Sequence, residues 1–158
     1  GQFTHEQRQV YDCVLEAQCA AISSIQPGQT WAGLNQIVVR ILVEGLCEMN
    51  ILSGDIHTLI EQAAFKPYYM HGVGHWLGLD VHDVGAYYAY DEPKPFEPGM
   101  VLTVEPGLYL SRHLPNLDTR WHGIGVRIED NILVTETGHQ NLSQALPKHP
   151  DEIKAVMR

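Results

Sequence analysis

Basic residues are scarce: Lys+Arg number 10 against Asp+Glu 19, for a formal net charge of −9. Phosphate backbones are bound by basic surface, so no nucleic-acid partner is expected. Long hydrophobic runs are missing as well. No apolar stretch approaches ~18 residues, so no membrane-crossing helix is expected. The opening GQFTHEQRQV lacks both an apolar h-region and an initiator Met, so it reads as a cut or processed start rather than a signal peptide. Cysteine is sparse and unpatterned: Cys13, Cys19 and Cys47 make no C-x-x-C. An odd count without ligand spacing points to reduced, buried thiols in a reducing, cytoplasmic compartment. Internal repeats and low-complexity tracts are also absent.

What is present suits one domain. The chain has 158 residues, of which 44% are hydrophobic, enough for a real core. Nine histidines stand out, six of them between residues 71 and 139.

The N-terminal third reads as helix. Thr4 and Gln7 form a capping box, and Val10, Val14, Ala17, Ala21 and Ile25 follow at helical spacing until Pro27-Gly28. Thr30 caps a second stripe through Leu34, Val38, Leu42, Leu46 and Met49, and Asp55 caps a short third helix. After Phe65 the period shortens towards 2 and Pro, Gly and aromatics rise. Strands are expected at 68–73, 77–82, 100–105, 108–110, 124–129 and 131–135. Loops are expected at 85–99 and 111–122, and a short helix around 150–157. Helices followed by an antiparallel sheet make the fold class α+β.

Three Gly-bounded segments carry the candidate chemistry. In Val126-Arg127-Ile128-Glu129 the charged residues share one strand face and the apolar ones the other. This is either a solvated face or a carboxylate ligand balanced by Arg127. In Met100–Glu105 an apolar strand ends in a carboxylate at the rigid turn Pro106-Gly107, which either faces water or is held for chemistry. In Tyr69–Asp83 the imidazoles of His71, His75 and His82 are clustered, and Gly-Val-Gly permits close backbone approach. A three-His zinc site is one reading. One His with two carboxylates suits a harder ion such as Mn²⁺, with Zn²⁺ and Co²⁺ as alternatives.

HGVGHWLGLDVHD, GMVLTVEPGLY and GIGVRIEDNILVT, in that order, resemble the metal-site motifs of the Xaa-Pro aminopeptidases (aminopeptidase P). With the FTHEQRQVYDCVLEAQ segment, the similarity covers nearly the whole chain. The resemblance implies the creatinase, or pita-bread, fold shared with methionine aminopeptidase and prolidase, and HWLGLDVHDVG favours the Xaa-Pro branch. This chain would be its second half, with helices packed on a curved, mainly antiparallel sheet. The family binds two divalent ions, typically manganese, through Asp, Asp, His, Glu and Glu. By motif, His75, Glu105 and Glu129 match the last three. His71 and His82 match histidines that contact substrate and stabilise the tetrahedral intermediate, and Arg127 matches an Arg that supports the site. The implied reaction is hydrolysis of the Xaa-Pro bond by a metal-bridging hydroxide, with Glu105 in proton transfer.

The aspartate pair has no match. Before His75 the chain has only Asp12, inside the first helix, and Asp55, a helix cap. Residues 1–158 are therefore read as the C-terminal part of the catalytic domain, without the half that carries the Asp pair. The expectation is one weakly held divalent ion or none, and no turnover by this chain alone. The expected substrate of the parent enzyme is a peptide with proline second. Self-association is expected through the surface that the missing half would cover. The alternatives are a prolidase-type dipeptidase and a non-catalytic pita-bread binding module.

Overall fold

The structure, a computed structural model, describes residues 2–157. Helix α1 spans His5–Ser23, with the capping box in place: Thr4 accepts from the Gln7 N–H and Gln7 reaches back to the Thr4 N–H. Helix α2 spans Trp31–Glu48, capped by Thr30, and α3 spans Ile56–Glu61, capped by Asp55. The buried stripe Val10, Val14, Ala17 and Ala21 of α1 packs on Leu34, Val38, Leu42 and Leu46 of α2. Each such aliphatic side chain contributes about 1.5–3 kcal/mol on burial. The two helices meet closely because α2 has no side chain at Gly45. A Cβ there would lie 2.3 Å from Cys13 Sγ.

Beyond the helices, strands β1 (Tyr88–Ala89) and β2 (Glu92–Pro93) form a small hairpin. Two further sheets are built from β3 (Val101–Val104), β4 (Gly107–Leu110), β5 (Ile124–Arg127), β6 (Asp130–Val134) and β7 (His139–Asn141). β3 pairs with β6, β6 with β7 and β4 with β5, all antiparallel. The β3–β6 and β4–β5 ladders keep one register across an interruption. Val104 faces Asp130 on one side of it and Gly107 faces Arg127 on the other, so Glu105 stands opposite Glu129. Pro106 explains the break, because proline has no N–H to donate to a ladder.

One face of this hairpin is apolar. Leu102, Val104, Leu108, Leu110, Ile128, Ile132 and Val134 are buried in the common core with the helices. Asp130 is the polar exception on that face. Its carboxylate accepts from Gln18 Nε2 of α1 at 3.2 Å and from Ser143 Oγ, and pairs with Lys148 Nζ at 2.9 Å. A buried carboxylate is tolerated only with such partners, and these three tie the C-terminal segment to the core. Helix α4 (Pro150–Val156) follows, as expected.

Several expectations are corrected. Residues 68–73 and 77–82 are not strands. Instead 73–77 runs antiparallel beside β3, with the Glu105 N–H donating to Val73 O, Thr103 N–H to His75 O and Leu77 N–H to Val101 O. The pairing falls between the two expected strands because a non-local neighbour sets it, not the local pattern. The 85–99 stretch contains the β1–β2 hairpin, whose tip residues Tyr90 and Asp91 take positive φ (53° and 67°) without glycine. The 111–122 stretch contains a 3₁₀ turn at Thr119–Trp121 that buries Trp121. Strand β7 carried no apolar alternation and was not expected. The thiols are all free, but only Cys13 is buried; Cys47 is half-buried and Cys19 exposed.

Candidate metal centre

The polar face of the hairpin is where the candidate residues meet. Residues directly opposite in an antiparallel pair project to the same side, and so do residues two apart along a strand. Thr103, Glu105, Tyr109, Arg127 and Glu129 therefore share one face. Opposed like charges such as Glu105 and Glu129 are unfavourable in a sheet unless a cation lies between or beside them.

The 73–77 segment brings His75 to that face. Gly74 makes this approach possible, since a Cβ there would fall 1.9 Å from Thr103 O. The Thr103 hydroxyl accepts from the His75 N–H at 3.0 Å. His75 Nδ1 lies 2.9 Å from Trp76 O, a carbonyl that can only accept, so Nδ1 carries the proton. That leaves the lone pair of Nε2 aimed at the site, the usual way a protein orients a ligating imidazole. His75 Nε2 sits 3.5 Å from Glu105 Oε1. His75, Glu105 and Glu129 each offer one ligand atom, and these atoms all lie within 4.8 Å of one another. One nitrogen and two carboxylate donors, one buried, one half-buried and one exposed, fit a divalent cation by number, charge and chemistry.

Arg127 holds the other oxygen of Glu105. Its Nη1 donates to Oε2 at 3.1 Å, while its Nε donates to the Tyr109 hydroxyl at 2.9 Å. The bond to Tyr109, with a further contribution from Glu105, raises the guanidinium pKa against the opposing effect of desolvation. Tyr109 in turn lies 2.7 Å from His71 Nε2, and His71 Nδ1 lies 2.8 Å from Gly72 O. The carbonyl fixes the proton on Nδ1 of a neutral His71, so the Tyr109 hydroxyl donates to Nε2. A single chain of bonds thus runs from His71 through Tyr109 and Arg127 to Glu105. His82 is exposed, and its ring stands edge-on to that of His75 at 4.4 Å between centroids. All six residues singled out from the sequence converge in one region.

Tyr109 was missed by sequence reasoning, although it stands within a quoted motif. The signal that finds it is its register, four residues after Glu105 and opposite Gly125 on the polar face. Tyr69 was missed too. Its ring packs edge-to-face on His71 at 4.8 Å, and burial pushes its phenol well up. A cavity of about 460 Å³ lies elsewhere, between the start of α1, the outer edge of β5 and α4.

The chain belongs to metallopeptidase family M24, whose model matches residues 1–136. Among relatives, the Xaa-Pro aminopeptidase of Escherichia coli (strain K12) is 49% identical over 157 residues, covering 99% of this chain and 35% of its own length. That of Haemophilus influenzae is also 49% identical, with 36% of its length covered. The structure of Pseudomonas aeruginosa aminopeptidase PepP superposes with a TM-score of 0.96 at 45% identity, covering 99% of this chain and 35% of that one. Escherichia coli aminopeptidase P with the inhibitor Pro-Leu gives 0.94 at 49% identity, with the same coverage. The chain thus spans about a third of the length of these relatives. The α+β architecture is that expected of a pita-bread half.

Proposed function

We propose that this chain supplies the His75, Glu105 and Glu129 side of a divalent-metal centre in an Xaa-Pro aminopeptidase. The single observation that carries the reading is the convergence of three ligand atoms within 4.8 Å, with Arg127 bracing Glu105 from behind. Manganese is the ion we assign, because two carboxylates and one imidazole make a predominantly hard donor set. When bound, such a cation supplies Lewis acidity and lowers the pKa of attached water.

The protein's own groups then have separable tasks. Glu105 Oε2 is fixed by Arg127, which leaves Oε1 to ligate and to take or return a proton at the reacting water. Tyr109 keeps Arg127 and His71 in place. His71 and His82 flank the site, and we assign them to contact substrate and to steady the tetrahedral intermediate. The peptide with proline second is the substrate assigned to the parent enzyme, on the strength of the relatives. We assign the work to the cytoplasm on cysteine usage, an odd count of three thiols that are all free; among the described residues no helix is long and apolar enough to cross a membrane.

The remaining ligands would come from outside these residues. Asp12 forms a surface pair with Arg8, and Asp55 is engaged as the α3 cap. Residues 1–158 then form the C-terminal part of a catalytic domain, hold one ion weakly and do not turn over peptide alone. The outer edge of β5 is also assigned to pair, either with the missing half or with a second copy. Metal analysis by mass spectrometry and a peptidase assay with added Mn²⁺ test this reading. One loosely held ion without turnover supports it; two tightly held ions with normal turnover refute it. Light scattering at tens of micromolar tests pairing with a second copy, and a clean monomer counts against that arm.

A further inference from the structure

Between Leu77 and Gly85 the chain leaves the sheet, forms no regular element and returns carrying His82. Apolar burial does not hold this excursion, since Leu79, Val81 and Val84 are 103%, 68% and 91% exposed. A polar device inside the loop does. Asp83 is half-buried, and its Oδ2 accepts from the Leu79 N–H at 3.2 Å while Oδ1 accepts from the Val84 N–H at 2.9 Å. Two backbone bonds complete the turn: Gly78 N–H to Asp80 O and Asp83 N–H to Trp76 O, both 3.1 Å. The carboxylate lies so close to the opposite limb that a Cβ on Gly78 would fall 1.8 Å from Oδ2. At the loop's exit a Cβ on Gly85 would fall 2.3 Å from the Trp76 ring, so backbone packs directly on the indole.

We propose that Asp83 is a positioning residue for His82. Its carboxylate closes the loop from within and thereby sets the exposed imidazole against the ring of His75. A carboxylate that accepts two backbone N–H bonds can do this without contributing a side chain to the site. The inference rests on the peptidase reading for the task His82 performs, but not for its geometry. Gly78 is part of the same device, because its missing side chain is the space the carboxylate occupies.

Two readouts separate the device from the reaction. The first is a ring-to-ring nuclear Overhauser effect between His75 and His82 in this chain without metal. It is present in the native chain, lost in Asp83→Ala and Gly78→Ala, and weakened in Asp83→Asn, which keeps one acceptor. The second is made in the metal-loaded full-length parent enzyme. There Asp83→Ala lowers kcat/KM about 10- to 100-fold, the scale of a misplaced catalytic group. The same substitution adds nothing further in a His82→Ala background. A merely structural role would make the two losses multiply. Persistence of the ring contact in Asp83→Ala, or multiplicative losses, overturns the proposal. Gly78→Ala keeps the test open should Asp83→Ala fail to fold. An inactive native parent would sink the peptidase reading and leave the ring contact to decide the loop's geometry.

Discussion

Glu129 and Asp130 are neighbours in sequence, yet they sit on opposite faces of the bent hairpin in opposite circumstances. Asp130 points into the core, is 3% exposed, and is fully engaged by Gln18, Ser143 and Lys148. Glu129 points out, opposite Glu105, and no hydrogen bond or ion pair to it is found among the described residues. The same contrast runs along the whole hairpin. Apart from Asp130, its buried inward side chains are apolar and tie the hairpin to α1 and α2, while the outward residues around the Pro106 break are the candidate ligands and their supports. A period of two is enough to separate cohesion from chemistry, residue by residue.

The sharpest way to break this contrast is to truncate both acids. Asp130→Ala leaves Lys148 and Gln18 without their buried partner and is expected to cost about 3–5 kcal/mol, read by urea denaturation. Leu42→Ala, in the helix layer, is expected to cost about 2–5 kcal/mol by the same measurement, since its side chain is fully buried. Glu129→Gln is expected to leave the stability unchanged or to raise it by about 0.2–1 kcal/mol, because the opposition of like charges across the strands is relieved, Arg127 being bonded to Glu105 alone of the two. Equal destabilisation by the two acid substitutions would erase the distinction between the faces.

Smaller effects sharpen the same division. Burial, helped by Glu16 and Glu48, pushes the Cys13 thiol up to about 12, whereas Cys19 is exposed. At neutral pH a thiol reagent is expected to label Cys19 first and Cys13 last, read by mass spectrometry over time. The smallest effect is at the α3 cap. The Thr58 N–H bond holds the Asp55 carboxyl below its ordinary 3.8. A lowered folded-state pKa means stabilisation present above the ordinary value and lost as pH falls through the folded one. The small Tm gap between the native chain and Asp55→Ala should therefore close on acidification below about pH 3.8.

The helical layer was legible because its signals are local. Caps at Thr4, Thr30 and Asp55 and stripes at helical spacing need no distant partner to be read. The strands leading to Glu105 and Glu129 were legible, one as an apolar run and the other from alternation, although they end at Val104 and Arg127, short of the expected 105 and 129. Their confrontation across the Pro106 break was not, because register between two strands is a tertiary fact. The same limit misplaced the histidine segment: 73–77 lies along β3 because Gly74 admits the close approach, and the local pattern around it pointed to strands on either side. Tyr90 and Asp91 turn the β1–β2 hairpin at positive φ without the Gly or Asn that advertises such a turn. The polar residues at the site were found because their types were unusual for their places. Tyr109 was passed over because an aromatic in a strand is ordinary.

The account depends most on a cation having its place between His75, Glu105 and Glu129. Isothermal titration of this chain with Mn²⁺, repeated with His75→Ala, Glu105→Gln and Glu129→Gln, tests that directly. The expected result is one ion per chain, with affinity reduced about 10- to 100-fold by each substitution, the scale on which even supporting residues of a metal site act. Binding of the same strength in all four proteins, or at a stoichiometry unaffected by the three changes together, would contradict it.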